Sequence, residues 1–379
     1  MKVVVAIDSL KSSLSSLEAG EAIKSGVLKA IPEAEVCVRP LADGGEGTVE
    51  ALALGMGGEL KTVEVTGPLG EKVNCLYGIL EESKTAILEM SGAAGITLVA
   101  DELKNPLHTT TYGVGEVIKD AIANGCRHFI VGIGGSATND GGIGMLQALG
   151  CGMLDKDGNQ VPFGAKGIKE IVTITDDQVI PELKECSFRI ACDVTNPLCG
   201  ERGCSEVYGP QKGATPEMVK EMDAWLADYA KLVSEKYEKA DAEYPGTGAA
   251  GGMGFAFLAC TNAVLESGIK IILEETKLED YVKDADIVIT GEGRLDGQTA
   301  FGKAPIGVAK IAKKYDKTVL AFAGAVTEDA VVCNEHGIDA FFPILRKIQT
   351  LQEAMEPKNA RDNLRDTAEQ VFRLINTKK

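Results

Sequence analysis

The sequence predicts an α/β protein whose main domain is a Rossmann-like, doubly wound parallel sheet. Both ends of the chain alternate short apolar runs with helical patterns, and the middle contains more strands. With 379 residues, the chain has room for two or three domains at ~150 residues each. No linker-like tract separates the regions. We therefore predict one domain from residues 1–64 plus 281–379 and an inserted α/β domain at 65–280, with the active site in the cleft between them.

The N-terminal region predicts a strand, a capped helix, a second strand and a second helix. Residues 3–7 are an unbroken apolar run, which suits a strand buried on both faces. Ser15 precedes Glu18 by three residues, the capping-box spacing at the start of a helix. A short strand at 35–39 and a helix at 49–55 follow.

The middle of the chain predicts a mixed or antiparallel sheet, because its apolar runs alternate and are separated by Gly-Pro turns. The expected strands are 60–65, 72–80, 86–90 and 129–133, and the expected helices are 112–124, 215–239 and 250–266.

Strand and helix patterns alternate again near the C-terminus. We predict strands at 286–290, 318–322 and 338–342, and helices at 305–314, 328–335 and from 349 to the end.

Composition excludes several classes of protein. The formal net charge of −17 argues against nucleic acid and anionic membrane partners, which need a basic face. No apolar run approaches the ~18–20 residues of a membrane span, and five apolar residues at the N-terminus are too few for a secretory signal. The ten cysteines are scattered. We therefore expect a cytoplasmic protein with reduced thiols.

Six segments combine glycine with acidic, amide or basic residues, and four of them directly follow a predicted strand. They are residues 8–11, 42–48, 134–142, 193–197, 209–213 and 291–296. Glycines let backbone N–H groups approach an anion, carboxylates hold Mg²⁺ or accept a proton, and Lys or Arg neutralises phosphate or carboxylate charge. Each segment alone could be a simple turn or cap, but six in one chain favour a ligand site.

Residues 297–303 match part of a phosphate-binding P-loop. Ala304 stands where that motif needs Ser or Thr, and the predicted strand ends seven residues before Gly297. We therefore exclude a P-loop, although Lys303 could still bind a phosphate at the start of the following helix.

These segments, together with residues 192–198, 209–214 and 245–252, resemble those of the bacterial type I glycerate kinases in the same order along nearly the whole chain. Leu10, Ser12 and Thr247 depart from the family's usual residues. The resemblance implies a Rossmann-like domain with an inserted α/β domain, and ATP-dependent phosphorylation of D-glycerate. The 2-phosphate is favoured over the 3-phosphate.

The chemistry of phosphoryl transfer assigns roles within these segments. For the glycerate carboxylate, the cations Lys11 and Arg294 are candidates. Asp193 is our first choice as acceptor for the attacking hydroxyl, followed by Asp43 and Asp296. We count Lys11 with Asp193 and Asp296 as catalytic. The substrate-binding set is Asp8, Ser9, Asp43, Asn196 and Arg294.

The nucleotide phosphates need backbone N–H groups and cations. The residues predicted for this task are Gly134, Gly135, Ser136, Thr138, Lys212 and Lys303. Mg²⁺ needs one or two carboxylates, for which we choose Asp43 and Asp193.

Two alternatives stay open. The acceptor could be a longer sugar acid, or the protein could be a non-catalytic sensor of sugar acids. The sequence leaves the oligomeric state open between monomer and homodimer.

Overall fold

A computed structural model describes residues 1–42, 44–45 and 47–377, and it confirms the predicted α/β class. The chain forms two compact units. We call Met1–Asp43, Leu54–Met56 and Ile269–Lys379 the terminal unit, and Gly44–Ala53 with Gly57–Gly268 the inserted unit. The domain ranges chosen from sequence, 1–64 plus 281–379 and 65–280, stay a prediction.

The strands of the described residues are β1 Lys2–Val5, β2 Glu35–Val38, β3 Glu59–Thr66, β4 Lys72–Leu80, β5 Thr85–Glu89, β6 His128–Gly132, β7 Gly152–Leu154, β8 Thr173–Thr175, β9 Ser187–Ala191, β10 Ala263–Glu266, β11 Ile287–Leu295, β12 Thr318–Val326 and β13 Ala340–Pro343.

The α-helices are α1 Ser16–Ala30, α2 Thr48–Gly55, α3 Ser91–Ala94, α4 Tyr112–Ala123, α5 Ile143–Ala148, α6 Ala165–Ile168, α7 Cys204–Tyr208, α8 Pro216–Lys236, α9 Ala249–Cys260, α10 Gly268–Glu275, α11 Leu278–Val282, α12 Ala304–Lys313, α13 Val332–Glu335, α14 Leu351–Met355 and α15 Pro357–Asn376. Short 3₁₀ helices span Ile96–Leu98, Asp101–Leu103, Pro181–Glu185, Pro210–Lys212, Gly297–Phe301 and Glu328–Val331.

The terminal unit contains a parallel sheet built from both ends of the chain. Its strand order is β13-β12-β11-β1-β2, and all of its strand pairs are parallel. Counted within this unit, the order is 2-1-3-4-5, one of the common doubly wound arrangements. The first strand is buried as predicted, since Val3, Val4 and Val5 are all 0% exposed.

Helices cover this sheet because successive strand side chains point to opposite faces. Val3 and Val5 pack in one core cluster with α1 and α15. Val4 lies on the other face, where α12 contacts β11 and β12. The predicted capping box is present at α1: Ser15 accepts from the Glu18 N–H, and the Glu18 carboxylate accepts from the Ser15 N–H.

The inserted unit contains a mixed sheet in the order β10-β9-β6-β5-β4-β3, as the pattern predicted. The β3–β4 and β4–β5 pairs are antiparallel, and the other pairs are parallel. The carboxyl ends of β6 and β9 are therefore neighbours, and the loops that follow them, which begin with Gly134 and Asp193, start at the same sheet edge.

Two sequence predictions are wrong in the inserted unit and the C-terminal region. The helix expected over 250–266 ends at Cys260, and Ala263–Glu266 pairs with β9 instead. The long last helix is two helices, because Glu356 leaves the helical conformation with ψ 127° just before Pro357.

The third correction concerns the functional segment 291–296. The strand expected to end at residue 290 continues to Leu295, paired with an equally extended β12. Gly291 permits this pairing, because a Cβ there would lie 1.8 Å from the Phe322 carbonyl oxygen. Most of the predicted loop is therefore strand, and β11 ends two residues before Gly297.

Candidate active site

The loop after β1 places predicted substrate residues at the carboxyl edge of the terminal sheet. Asp8 is 7% exposed, and its backbone N–H donates to the Gly291 oxygen at 3.0 Å. Its Oδ1 accepts the Ser9 N–H at 2.7 Å. Lys11 is exposed. The loop therefore brings a buried carboxylate and an accessible ammonium group beside β11.

Glu292 lies on the extended part of β11, with its side chain 13% exposed. Thr299 Oγ1 donates to Oε1 at 2.6 Å, and Lys303 Nζ is 3.9 Å from Oε2. Burial raises the pKa of Glu292, against the opposing effects of the Thr299 hydrogen bond and the Lys303 charge. The sequence-based prediction missed this residue, because a loop assignment gave its side chain no direction; strand alternation through 291–295 is the signal that could have found it.

Asp296 caps the 3₁₀ helix Gly297–Phe301. Its Oδ1 accepts the N–H groups of Gln298 at 3.0 Å and Thr299 at 3.2 Å, and it lies 3.4 Å from Lys303 Nζ. This carboxylate therefore has a local structural task, and its catalytic role stays a prediction.

Two cations beside Asp296 reach solvent. The Arg294 side chain is 66% exposed, with Nε 3.5 Å from Asp296 Oδ2, and Lys303 is 40% exposed. Guanidinium and ammonium groups with this exposure can bind an anionic ligand.

The loops that follow β1 and β11 meet at the switch point of the sheet. The chain leaves β1 toward β2 on one side, while β11 flanks β1 on the other. In doubly wound sheets, ligands bind outside the carboxyl ends of the strands at this place. The terminal unit therefore collects the predicted residues Asp8, Ser9, Lys11, Arg294, Asp296 and Lys303 at the edge where its fold favours a ligand.

In the inserted unit, Gly134 and Gly135 form an open backbone cradle after β6. Both residues are exposed, and neither N–H donates to an acceptor among the described residues. A Cβ at Gly134 would meet no atom within 4 Å, and Gly135 has φ +74°. Nearby, the Ile96 N–H donates to the Gly135 oxygen at 2.8 Å and holds the turn. Adjacent unpaired amides of this kind can bind an anion.

Lys212 lies beneath this cradle. It is 2% exposed, and Nζ donates to Ser136 Oγ and to the Thr138 oxygen, both at 2.7 Å. Burial lowers the pKa of Lys212 to about 8, while the Asp140 charge acts in the opposite direction. These contacts hold the loop from inside, so direct contact of Lys212, Ser136 or Thr138 with a nucleotide stays a prediction.

Asp193 and Asn196 follow β9 at the same sheet edge. Asp193 is exposed, and its Oδ1 accepts the Gly268 N–H at 3.1 Å. The Asn196 amide spans its own loop, since Nδ2 donates to the Arg202 oxygen at 2.8 Å and Oδ1 accepts the Tyr208 hydroxyl at 2.7 Å. Asp193 thus offers a carboxylate to solvent, whereas Asn196 is engaged within the protein.

The predicted metal and substrate residue Asp43 lies outside the described residues. Within the part of the chain that is described, no three or more His, Cys, Asp or Glu side chains are grouped to hold a metal ion. Mg²⁺ commonly uses only one or two carboxylates together with substrate phosphates, and the exposed Asp193 fits that requirement. Among the same residues, no helix is both long and apolar enough to cross a membrane.

Comparison with known proteins defines the family. The chain matches the sequence profile of the glycerate kinase family over residues 3–376. The chain belongs to the glycerate kinase family. The predicted resemblance is confirmed, as is the assignment to glycerate kinase.

Relatives in this family match nearly the whole chain. It is 49% identical to the glycerate kinase of Haemophilus influenzae, over 99% of both chains. It is 48% identical to the glycerate 2-kinase of Escherichia coli, over 96% of this chain and 95% of the relative. A crystal structure from Salmonella typhimurium LT2, assigned as glycerate kinase 2, superposes with a TM-score of 0.92 at 46% identity, covering 100% of this chain and 98% of the other.

Proposed function

We propose that the protein transfers the γ-phosphoryl group of ATP to the 2-hydroxyl of D-glycerate. Its likeness to the E. coli glycerate 2-kinase over 96% of the chain is the observation that carries the choice of hydroxyl. Phosphoryl transfer depends mainly on positioning and charge neutralisation, and both units provide groups for these tasks.

The terminal unit provides the groups for glycerate. Lys11 and Arg294 bind the carboxylate, since both are exposed cations on the edge where Asp8 and Ser9 also lie. A bidentate guanidinium contact would fix the orientation of the small substrate.

The inserted unit provides the groups for the nucleotide. The amides of Gly134 and Gly135 bind phosphate oxygens, because they have no acceptor among the described residues and a Cβ at Gly134 would meet no atom within 4 Å. Lys303 of the terminal unit adds a positive charge for the phosphates. The location of the active site in a cleft between two domains stays a prediction.

Asp193 and Asp43 are the residues that would hold Mg²⁺, which neutralises charge on the transferred phosphoryl group when it is bound. Asp193 keeps its place at the end of β9 through the Gly268 N–H, while the carboxylate remains exposed.

A kinase assay tests the proposal. Purified protein should release ADP from MgATP when D-glycerate is added, and EDTA should abolish the release. Turnover on a four-carbon sugar acid but not on glycerate would favour the longer-acid kinase. Binding of glycerate without turnover of any hydroxy acid would favour the sensor. A monomer or homodimer in the cytoplasm, with no nucleic acid or membrane partner, also remains our expectation.

A further inference from the structure

The Glu292 carboxylate is anchored at one oxygen and open at the other. Oε1 accepts the Thr299 hydroxyl at 2.6 Å. Oε2 accepts no hydrogen bond from any residue in the described ranges, and Lys303 Nζ at 3.9 Å is too distant to donate one. The side chain keeps 13% of its surface exposed, so a small ligand can reach the open oxygen. An O–H group from a ligand would satisfy the open oxygen.

The position of Glu292 in the fold also favours contact with a ligand. Gly291 is tied to the loop after β1 through the Asp8 N–H, and Glu292 follows it directly on β11. Glu292 is thus on one of the two strands that flank the switch point, the place where doubly wound sheets bind ligands.

We propose that Glu292 is a catalytic residue that binds the glycerate hydroxyl and accepts its proton, an inference that rests on the proposed function. As the hydroxyl oxygen forms its bond to the γ-phosphorus, the bond from that phosphorus to the β–γ bridging oxygen breaks. ADP leaves with the electron pair. The hydroxyl proton passes to Oε2 of Glu292 and is released to solvent after the product departs.

Three charged side chains act on this carboxylate. The ammonium groups of Lys303 and Lys11 favour its ionised form, and the Asp296 carboxylate opposes it. Burial is the largest influence and raises the pKa, which makes Glu292 a stronger base than an exposed glutamate. With Glu292 as the proton acceptor, Asp193 is left to hold Mg²⁺.

The test compares wild type with Glu292→Gln across pH, with D-glycerate and saturating MgATP. Gln has nearly the same shape and can still accept the Thr299 hydrogen bond, but it cannot take the proton. We expect kcat to fall by about 10²–10⁴-fold, the usual loss for a general base, with the KM for glycerate changed only a few-fold. Glu335→Gln, the same exchange at an exposed carboxylate of the terminal unit, should match wild type.

A second variant tests the same role of Glu292 in case Glu292→Gln does not fold. Thr299→Val removes the hydrogen bond that stabilises ionised Glu292, so the acidic limb of the wild-type kcat/KM profile should move to higher pH. A purely structural Glu292 would leave that limb in place.

The results distinguish a failure of the proton-acceptor role from a failure of the proposed function. Wild-type kcat in Glu292→Gln, or an acidic limb unmoved by Thr299→Val, would overturn the proton-acceptor role while wild type still phosphorylates glycerate. A wild type that turns over no hydroxy acid would overturn the proposed function itself, and this inference with it.

Discussion

At the residue scale, Asp193 combines a structural contact with an exposed carboxylate, and substitution can separate the two. In Asp193→Asn, the amide oxygen can still accept the Gly268 N–H, so the loop should keep its shape. The weaker metal ligand should lower kcat, and raising the Mg²⁺ concentration should partly restore it. Steady-state kinetics over a Mg²⁺ series measures this, with Glu292→Gln as the variant that excess metal should not rescue. Near-wild-type kcat at all Mg²⁺ concentrations would remove Asp193 from the mechanism.

Arg294→Ala should weaken glycerate binding more than ATP binding. Loss of a charged hydrogen-bonding partner costs about 1.5–3 kcal/mol, so the KM for glycerate should rise about 10- to 150-fold. Arg373→Ala, which removes an exposed arginine paired with Glu369 on α15, is the matched control. An unchanged KM for glycerate with a raised KM for ATP would instead assign Arg294 to the phosphates.

The burial of Lys212 should make the stability of the folded protein depend on pH. Its pKa is lowered from 10.5 to about 8 in the fold, so between these values the unfolded chain binds the additional proton. The contribution of Lys212 to the free energy of unfolding therefore rises with pH across that window and is constant below it. The unfolding free energy of wild type minus that of Lys212→Met should increase from pH 8 to pH 10. The exposed Lys220→Met should show no such trend, and a flat difference for Lys212→Met would contradict the lowered pKa of Lys212.

Several of the predicted site residues lie at the carboxyl edge of the terminal sheet, and their roles stay predictions. Asp8 follows β1 at the carboxyl edge of the sheet, whereas Arg294, which the patterns placed in a loop, lies on the extended end of β11. The burial of Lys212 could not be predicted from the sequence, because its acceptors Ser136 and Thr138 are more than seventy residues away in the chain. Glycine-rich composition signals a turn or a close approach, but it does not say which way the neighbouring side chains point.

At the element scale, the packing of α1 on α15 depends on Gly26. A Cβ at this position would lie 2.1 Å from the Arg365 carbonyl oxygen and 3.0 Å from Ala368 Cβ. Gly26→Ala should therefore destabilise the terminal unit by about 1–3 kcal/mol, the usual cost of overpacking. Thermal unfolding measures the change. Ser25→Ala, at the exposed neighbouring position, should leave stability unchanged or slightly raised, and equal effects at both sites would refute this packing argument.

Elements with strong local signals were predicted closely, whereas those fixed by distant partners were not. The Ser15 capping box and the apolar run of β1 are local, and both are present. β10 exists because Ala263–Glu266 pairs with β9, and β11 continues past Gly291 because β12 runs beside it. Such pairing overrides local preference, so the window of sequence around residue 263 does not contain the deciding information.

At the scale of the whole molecule, the sequence predicted that both ends of the chain contribute strands to the main sheet. The reason is that the alternation of strands and helices resumes near residue 286. β11 then pairs in parallel with β1, which places residues nearly three hundred positions apart at one edge. The family match extends over residues 3–376, a range that includes all six glycine-rich segments.

The position of the phosphate ester in the product decides between phosphorylation at C2 and at C3 of glycerate. ³¹P NMR of the product formed from D-glycerate and MgATP, with ¹H coupling retained, distinguishes the two esters by the protons coupled to phosphorus. We predict a doublet from the single proton at C2, the signature of the 2-phosphate. A triplet from the two protons at C3 would contradict phosphorylation of the 2-hydroxyl, and the absence of a phosphate ester signal beyond that of a reaction without protein would contradict glycerate kinase activity.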